Sequence, residues 1–284
     1  MTDSVTLSTT AGALRSDNLF DVALQCLECC HPVTKCELTR LAVAALQSNR
    51  LNLHAAADPS PPGEAGRPAQ PRLVAPRDLP RRRIGSLQGR ISLLHALAHI
   101  EFNAINLAWD AIYRFRELPA AYYRDWAKVA VEEAGHFMLL SERLAALDTC
   151  YGTLDAHDGL WEMAVKTAHD PLVRMALVPR VLEARGLDVT PGIIRKVREV
   201  GDTATVEALE IILRDEIGHV EIGTRWYRYL CAERNLEPDS TFIELLSQYT
   251  KGQVKEPFHY EARRQAGFSD GELASLEKLA GEKK

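Results

Sequence analysis

Two short motifs of the same pattern occur in the second half of the chain. The first is Glu133-Ala-Gly-His136 and the second is Glu216-Ile-Gly-His219. Residues three apart in an α-helix leave the same face one turn apart, so each motif presents a carboxylate beside an imidazole. Carboxylates and imidazoles are common ligands of iron, manganese and zinc. One Glu-x-x-His is common on helix surfaces, but its repetition points to a metal centre.

The residues around both motifs are apolar at helical spacing. The first motif is accompanied by Val129, Ala130, Phe137 and Leu140, and the second by Leu209, Ile212, Leu213 and Val220. Both motifs are therefore predicted to face the core. A carboxylate in that position is costly unless a cation accompanies it.

Two further glutamates complete a set of ligands. Glu101 and Glu183 also lie in register with apolar residues, so the chain order is Glu, Glu-x-x-His, Glu, Glu-x-x-His. This is the ligand arrangement of ferritin-like di-iron and di-manganese carboxylate bundles. Two divalent ions would cancel the charge of four carboxylates, any two of which repel by roughly 4 kcal/mol at about 4 Å and an effective dielectric constant near 20. The predicted metal ligands, which are also the predicted catalytic residues, are Glu101, Glu133, His136, Glu183, Glu216 and His219.

The elements that must position these residues are four long helices. Apolar periodicity predicts helices over 86–117, 120–147, 160–187 and 202–234. Asp170-Pro171 indicates that the third helix is in two pieces, and Pro179 should kink it. Strand patterns are almost absent, so the chain is predicted to be all-α.

Composition changes along the chain suggest four segments. They are an N-terminal helical segment (1–52), a proline-rich connection that wraps the surface (53–84), a four-helix bundle (85–236) and a helical extension packed on the bundle (237–284).

The formal charge of the 284-residue chain is −5, which gives no reason to expect non-specific binding to DNA. No apolar run is long enough for a membrane helix, and the start of the chain does not resemble a secretory signal. Six cysteines are too few for a disulfide scaffold in a chain of this length. We therefore expect a cytoplasmic protein with no membrane partner.

Polar residues near the motifs could support the ligands. Glu132 and Asp215 are predicted to accept hydrogen bonds from the non-ligating nitrogens of the two histidines, with exposed helix acids as the alternative. His95 and His99 could face the site or a substrate, but hydrogen-bonded residues between helices are the favoured interpretation.

Arginines and cysteines define three other candidate features. Arg180, one turn before Glu183, could neutralise carboxylate charge, and Arg185 is expected to act as a cap or bridge. A basic run that could contact RNA phosphates contains Arg72, Arg77, Arg81, Arg82, Arg83 and Arg90. A cluster that could bind zinc, although free thiols are favoured, contains Cys26, Cys29, Cys30, His31 and Cys36.

Longer stretches of the sequence resemble a bacterial ferritin-like family, the domain of unknown function 455. They include LLHALAHIEFNAINLAWDAIYRF, VAVEEAGHFMLLSERL, LRDEIGHVEIGTRWYRY and KEPFHYEARRQAGF. The resemblance covers nearly the whole chain and implies a ferritin-like fold with the same six ligands. More distantly, the chain looks like the ferritin-like di-iron monooxygenase that hydroxylates an isopentenylated adenosine in tRNA. That analogy concerns the fold and does not transfer the substrate.

The leading functional hypothesis is an O2-dependent oxidase or hydroxylase. It would use two iron ions, or manganese or a mixed manganese–iron pair, with an unidentified small-molecule substrate and an electron donor. The alternatives are a ferroxidase or metal-handling protein and a bundle that metals stabilise without catalysis. A tRNA substrate is less favoured, and a homodimer is compatible with the architecture.

Overall fold

The computed structural model describes residues 13–54, 62–80, 83–250 and 254–281. Within these ranges the chain forms helices and two isolated β-bridges, Asn18–Asn52 and Leu73–Ala156, but no β-strand. The all-α prediction is confirmed. In the same ranges, each helix is too short or too polar to cross a membrane.

Eleven α-helices are present in the described residues. They are α1 (Leu19–Glu28), α2 (Pro32–Gln47), α3 (Leu87–Arg114), α4 (Ala120–Ala145), α5 (Gly159–Lys166), α6 (Pro171–Leu177), α7 (Ala184–Glu199), α8 (Thr203–Glu233), α9 (Pro238–Thr250), α10 (Tyr260–Gln265) and α11 (Asp270–Gly281). A 3₁₀ turn covers Pro76–Asp78, and a π-helical turn, Val178–Glu183, joins α6 to α7.

The longest helices begin at side-chain caps. The Ser86 hydroxyl accepts a hydrogen bond from the Gly89 N–H at the start of α3, and the Asp202 carboxylate accepts one from the Thr205 N–H at the start of α8. Such caps satisfy N–H groups that have no partner within the helix. The observed α3, α4 and α8 end within three residues of the predicted boundaries.

The third predicted helix differs from the observed structure. The break at Asp170-Pro171 is present, and Asp170 caps α6 by accepting from the Leu172 N–H. Pro179 lies in the π-helical turn, where a wider turn accommodates its missing N–H and its ring. The predicted end at residue 187 is wrong, because α7 continues through Pro191 to Glu199. Packing of α7 on α8 offsets the cost of a proline inside the helix.

The helices that carry the predicted ligands are neighbours. Helix α3 packs on α4, α4 packs on α8, and α8 also contacts α6, α7 and the π-helical turn. The N-terminal helices α1 and α2 cover α3 and α4, respectively. At the other end, α9 packs on α6 and α8, while α10 contacts α7 and α8. One continuous apolar core runs through all these contacts.

Two buried ion pairs attach the C-terminal helices. Arg180 of the π-helical turn pairs with Glu272 of α11, and both side chains are fully buried. The structure thus places Arg180 against Glu272 rather than against the predicted ligands. The Arg180 guanidinium lies 4.1–4.6 Å from the ring centres of Tyr227, Phe242 and Phe268. Arg263 of α10 binds Asp188 of α7 at 2.7 Å.

Replacing Glu272 tests this attachment. Glu272→Ala leaves the Arg180 charge buried without its partner, so the free energy of unfolding should fall by about 3–5 kcal/mol. Denaturant unfolding followed by circular dichroism measures the loss. Glu210→Ala is the matched control, because the Arg198–Glu210 pair is more than half exposed and should contribute less than about 1 kcal/mol. Equal effects of the two substitutions would contradict the prediction.

Candidate metal centre

The six predicted ligands come from four neighbouring helical segments. Glu101 lies on α3, the first Glu-x-x-His motif on α4, Glu183 at the end of the π-helical turn, and the second motif on α8. Close contact brings the π-helical turn to α8, since a Cβ atom on Gly223 would lie only 2.3 Å from Pro179 Cγ. A side chain at position 223 would therefore push Pro179, and with it the turn that carries Glu183, away from α8.

The donor atoms of four of these residues form one compact group. Ligand atoms of Glu101, Glu133, His136 and Glu216 lie within 4.8 Å of one another. His136 Nδ1 is 3.3 Å from Glu101 Oε2 and 3.4 Å from Glu133 Oε2. His219 Nδ1 is 3.0 Å from Glu133 Oε1 and 3.5 Å from Glu216 Oε1. Glu133 therefore lies between the two imidazoles and turns one oxygen toward each.

Several donor atoms at this site are buried without a hydrogen-bond partner. They are Glu101 Oε2, both carboxylate oxygens of Glu133, Glu183 Oε2, and the Nδ1 atoms of His136 and His219. Native proteins leave few buried polar atoms unpaired, so six in one place require an explanation. The nitrogen–oxygen distances are short, yet the groups are not aligned as hydrogen bonds. This is the arrangement expected of ligands that share a cation.

The electrostatics of the carboxylates also fit a cation site. Burial raises the pKa of Glu101 well above its usual value, and the charge of Glu133 adds to the shift. Burial likewise raises the pKa of Glu183, and the negative charges of Glu216 and Glu133 raise it further. Burial opposes the charging of His136, but contacts with Glu101 and Glu133 outweigh it and raise its pKa to about 11. A divalent cation would favour the ionised carboxylates and the neutral imidazole.

The outer nitrogens of both histidines bind acids on the opposite helix. His136 Nε2 of α4 lies 3.2 Å from Asp215 Oδ2 of α8, and His219 Nε2 of α8 lies 3.0 Å from Glu132 Oε2 of α4. The predicted contacts are present. A carboxylate acceptor favours the N–H on Nε2 and leaves the Nδ1 lone pair directed into the site.

His95 and His99 do not join the ligand group. His95 Nε2 accepts a hydrogen bond from the Gly152 N–H at 2.9 Å. His99 contacts the Tyr151 hydroxyl at 2.8 Å and the His157 carbonyl oxygen at 3.0 Å. Both histidines therefore attach the loop between α4 and α5 to α3, which agrees with the favoured structural interpretation.

The cysteines of the N-terminal cluster lie apart from the carboxylates and imidazoles of this site. All six cysteines are free thiols, and no metal-binding group that includes them occurs in the part of the chain that the structure describes. Burial raises the pKa of Cys26 to about 12 and that of Cys36 to about 11, which disfavours the thiolate. The free-thiol interpretation agrees with this structure.

Three arginines of the basic run form ion pairs within the protein, and two of these arginines remain mostly exposed. The ion pairs are Arg72–Asp155 at 2.6 Å, Arg77–Asp78 at 3.8 Å and Arg90–Asp202 at 3.5 Å. Arg81 and Arg82 lie outside the described residues. The structure therefore adds no support for a phosphate-binding surface at this run.

An apolar cavity, which was not predicted from the sequence, lies beside the carboxylates. Its volume is about 170 Å³, and Glu101, Glu133, Glu183 and Glu216 contribute to its lining. Residues 189, 190 and 193 of α7 also line it, and they lie beyond the predicted end of the third helix. The helical spacing of the apolar residues Leu182, Val189 and Ile193 is the pattern that could have revealed this wall.

Comparison with known proteins places these residues in a family. The family model described as "Protein of unknown function (DUF455)" matches residues 28–274. The chain belongs to this family. The DUF455 match includes both Glu-x-x-His motifs, Glu101 and Glu183. A protein of Haemophilus influenzae named "Uncharacterized protein" is 51% identical over 213 residues, or 72% of this chain and 74% of that protein. No solved structure matches the chain.

Substitution of Asp215 tests whether this carboxylate supports His136 as a metal ligand. Asp215→Asn removes the negative charge that holds the imidazole, so metal affinity should fall roughly 10–100-fold. Competition with a chelator measures this affinity. Asp125→Asn is the control, since Asp125 lies about three turns before His136 on α4 and binds Trp226 Nε1 at 2.8 Å. Unchanged affinity in Asp215→Asn would show that the contact does not support the ligand.

His95 should make stability depend on pH. Burial lowers its pKa to about 4 from the ordinary value of 6.5. Between these pH values the unfolded chain binds a proton that the folded chain does not, so the free energy of unfolding falls as the pH drops. His95→Gln keeps an acceptor for the Gly152 N–H but cannot titrate.

Unfolding in urea at several pH values measures this effect. Between pH 6.5 and 4, His95→Gln should lose roughly 3 kcal/mol less stability than the wild type. Gln47→Ala, at an exposed position without an ionisable group, should keep the wild-type slope. If His95→Gln shows the wild-type slope as well, His95 is not buried as a neutral imidazole.

Proposed function

We propose that this protein is a ferritin-like four-helix di-metal carboxylate protein that activates O2 to oxidise or hydroxylate an organic substrate. Two iron ions are the proposed metals, with manganese or a mixed pair as alternatives. The observation that carries the proposal is the compact group of donor atoms from α3, α4 and α8, most of them buried without a hydrogen-bond partner, together with Glu183 in the lining of the adjoining cavity. The order of the ligands along the chain also matches that of di-iron and di-manganese carboxylate proteins.

Each ligand has a distinct task in this proposal. Glu133, with one oxygen toward each imidazole, would be the central ligand of the metal site. Glu101 and His136 would provide ligands on one side of Glu133, and Glu216 and His219 would provide ligands on the other side. Glu183, whose pKa responds first to burial and then to the charge of Glu216, would join the second side. Four carboxylates and two divalent ions balance in formal charge.

The surrounding side chains would prepare the site for chemistry. Asp215 and Glu132 hold the imidazoles in one orientation and one tautomer. The apolar side chains of α3, α7 and α8 limit the access of water to the carboxylates. A di-iron(II) pair held here would supply two of the four electrons that reduce O2, the substrate would supply the other two, and an external electron donor would restore the pair.

The cavity favours an enzyme over the two alternatives. A ferroxidase needs only a path for iron and O2, and a structural metal site needs no cavity at all. A space of about 170 Å³ with carboxylates on one wall offers room for part of an organic substrate. We therefore place the oxidase or hydroxylase function first.

Iron loading tests the proposal. The protein is loaded with Fe(II) without oxygen, the iron content is determined, and absorbance is followed as O2 is admitted. We expect about two irons per chain and a ferric absorption band. Glu133→Ala should lose both, because it removes the ligand that lies between the imidazoles.

Glu207→Ala is the matched control, since Glu207 is exposed on α8. It should load and react as the wild type does, and circular dichroism should show that both variants fold. One metal or none, without O2 uptake, would contradict the proposed function. Metal-dependent melting without O2 uptake would instead favour a metal-stabilised, non-catalytic protein.

A further inference from the structure

The cavity beside the carboxylates has a size that limits what can enter it. Its volume is about 170 Å³. A dry protein cavity of about 150 Å³ lined by aliphatic and aromatic residues binds benzene. The space is therefore suited to a group of about six carbon atoms.

The lining of the cavity selects for a group without charge. Apart from the four glutamates, its wall is mainly apolar, with contributions from Leu97, Ile100, Leu182, Val189, Ile193 and Ile212. Arg185 and Thr190 are the other polar side chains in this lining. The Arg185 guanidinium donates to the carbonyl oxygens of Lys255 at 2.7 Å and Pro257 at 3.0 Å, so it serves as the expected bridge. A charged group would lose its hydration against this apolar wall, and the lining offers it no free hydrogen-bonding partner of opposite charge.

One edge of the cavity reaches solvent. The Ile100 side chain is 42% exposed, and Leu182, Val189 and Ile193 are half-buried. These apolar residues lie on α3, the π-helical turn and α7, which border the cavity on two sides. A ligand can therefore approach the carboxylates between α3 and α7 without passing through the core. Exposed apolar residues at the edge of a concave site are typical of ligand binding.

We propose that this cavity binds an uncharged, apolar group of about six carbon atoms as the reacting part of the substrate. The inference rests on the proposed function, because that function supplies the reason for placing a substrate beside the glutamates. The volume and the lining of the cavity are structural observations that do not depend on the proposed function.

Substitution of Gly186 provides a direct test of ligand binding in the cavity. This glycine lies inside α7 and lines the cavity, and a Cβ atom built on it meets no atom within 4 Å. Because glycine inside a helix is about 0.5–1 kcal/mol less favourable than alanine, helix stability does not explain this residue. A leucine at this position would occupy much of the cavity without a backbone clash.

Calorimetric titration with benzene measures binding without relying on catalysis. We expect saturable binding of one benzene per chain to the Fe(II)-loaded, oxygen-free protein and no binding of benzylammonium, a charged counterpart that cannot bind iron. Gly186→Leu should weaken benzene binding at least tenfold. Gly192→Leu is the matched control on α7, because Gly192 does not line the cavity and its Cβ would make only an ordinary contact with Arg195 at 3.8 Å.

A second cavity-filling variant provides an independent result if Gly186→Leu does not fold. Val189→Phe places a larger side chain on the same wall and should reduce benzene binding as Gly186→Leu does. The proposal is wrong if benzene does not bind, if neither filling variant weakens its binding, or if benzylammonium binds as well as benzene.

Metal content measured on the same samples separates the two proposals. Two metals without benzene binding would overturn the apolar site and leave the proposed function standing. Benzene binding in a chain that cannot hold two metals would support the apolar site and overturn the proposed di-metal function.

Discussion

The burial of four carboxylates at one place is the constraint on which the rest of the structure depends. Carboxylates inside a protein repel one another and lose hydration, so they stay ionised only beside compensating positive charge. Here burial raises the pKa of Glu101, Glu183 and Glu216, while His136 is pushed toward its charged form. Under the proposed assignment two metal ions resolve this conflict, and the helices serve to hold the charges together until the ions bind.

Much of the remaining structure keeps the helical segments of the site in place. Close contact of Pro179 with Gly223 sets the π-helical turn against α8, so that Glu183 lies near the second Glu-x-x-His motif. Arg180, three residues before Glu183, connects the same turn to Glu272 of α11. The C-terminal helices therefore stabilise one of the four segments that carry the predicted ligands, although they carry none of these residues themselves.

The carboxylates and the apolar residues line the same cavity. The glutamates provide the charged wall, and α3, α7 and α8 provide the apolar one. An apolar wall lowers the local dielectric constant and strengthens electrostatic interactions at the carboxylates, which would favour the proposed metal binding and oxidation. The same wall would select the reacting group by size and lack of charge, so metal retention and substrate choice depend on the same helices.

The sequence by itself determined the local features of this protein. Helical periods, caps such as Ser86, the break at Asp170 and the spacing of both Glu-x-x-His motifs depend on residues a few positions apart, and the all-α prediction is confirmed. The di-metal site, the ferritin-like bundle and the segment boundaries remain predictions. Only the tertiary structure decided the partner of Arg180, the continuation of α7 to Glu199 and the cavity beyond residue 187. These features depend on packing between residues far apart in the chain, which local patterns do not encode.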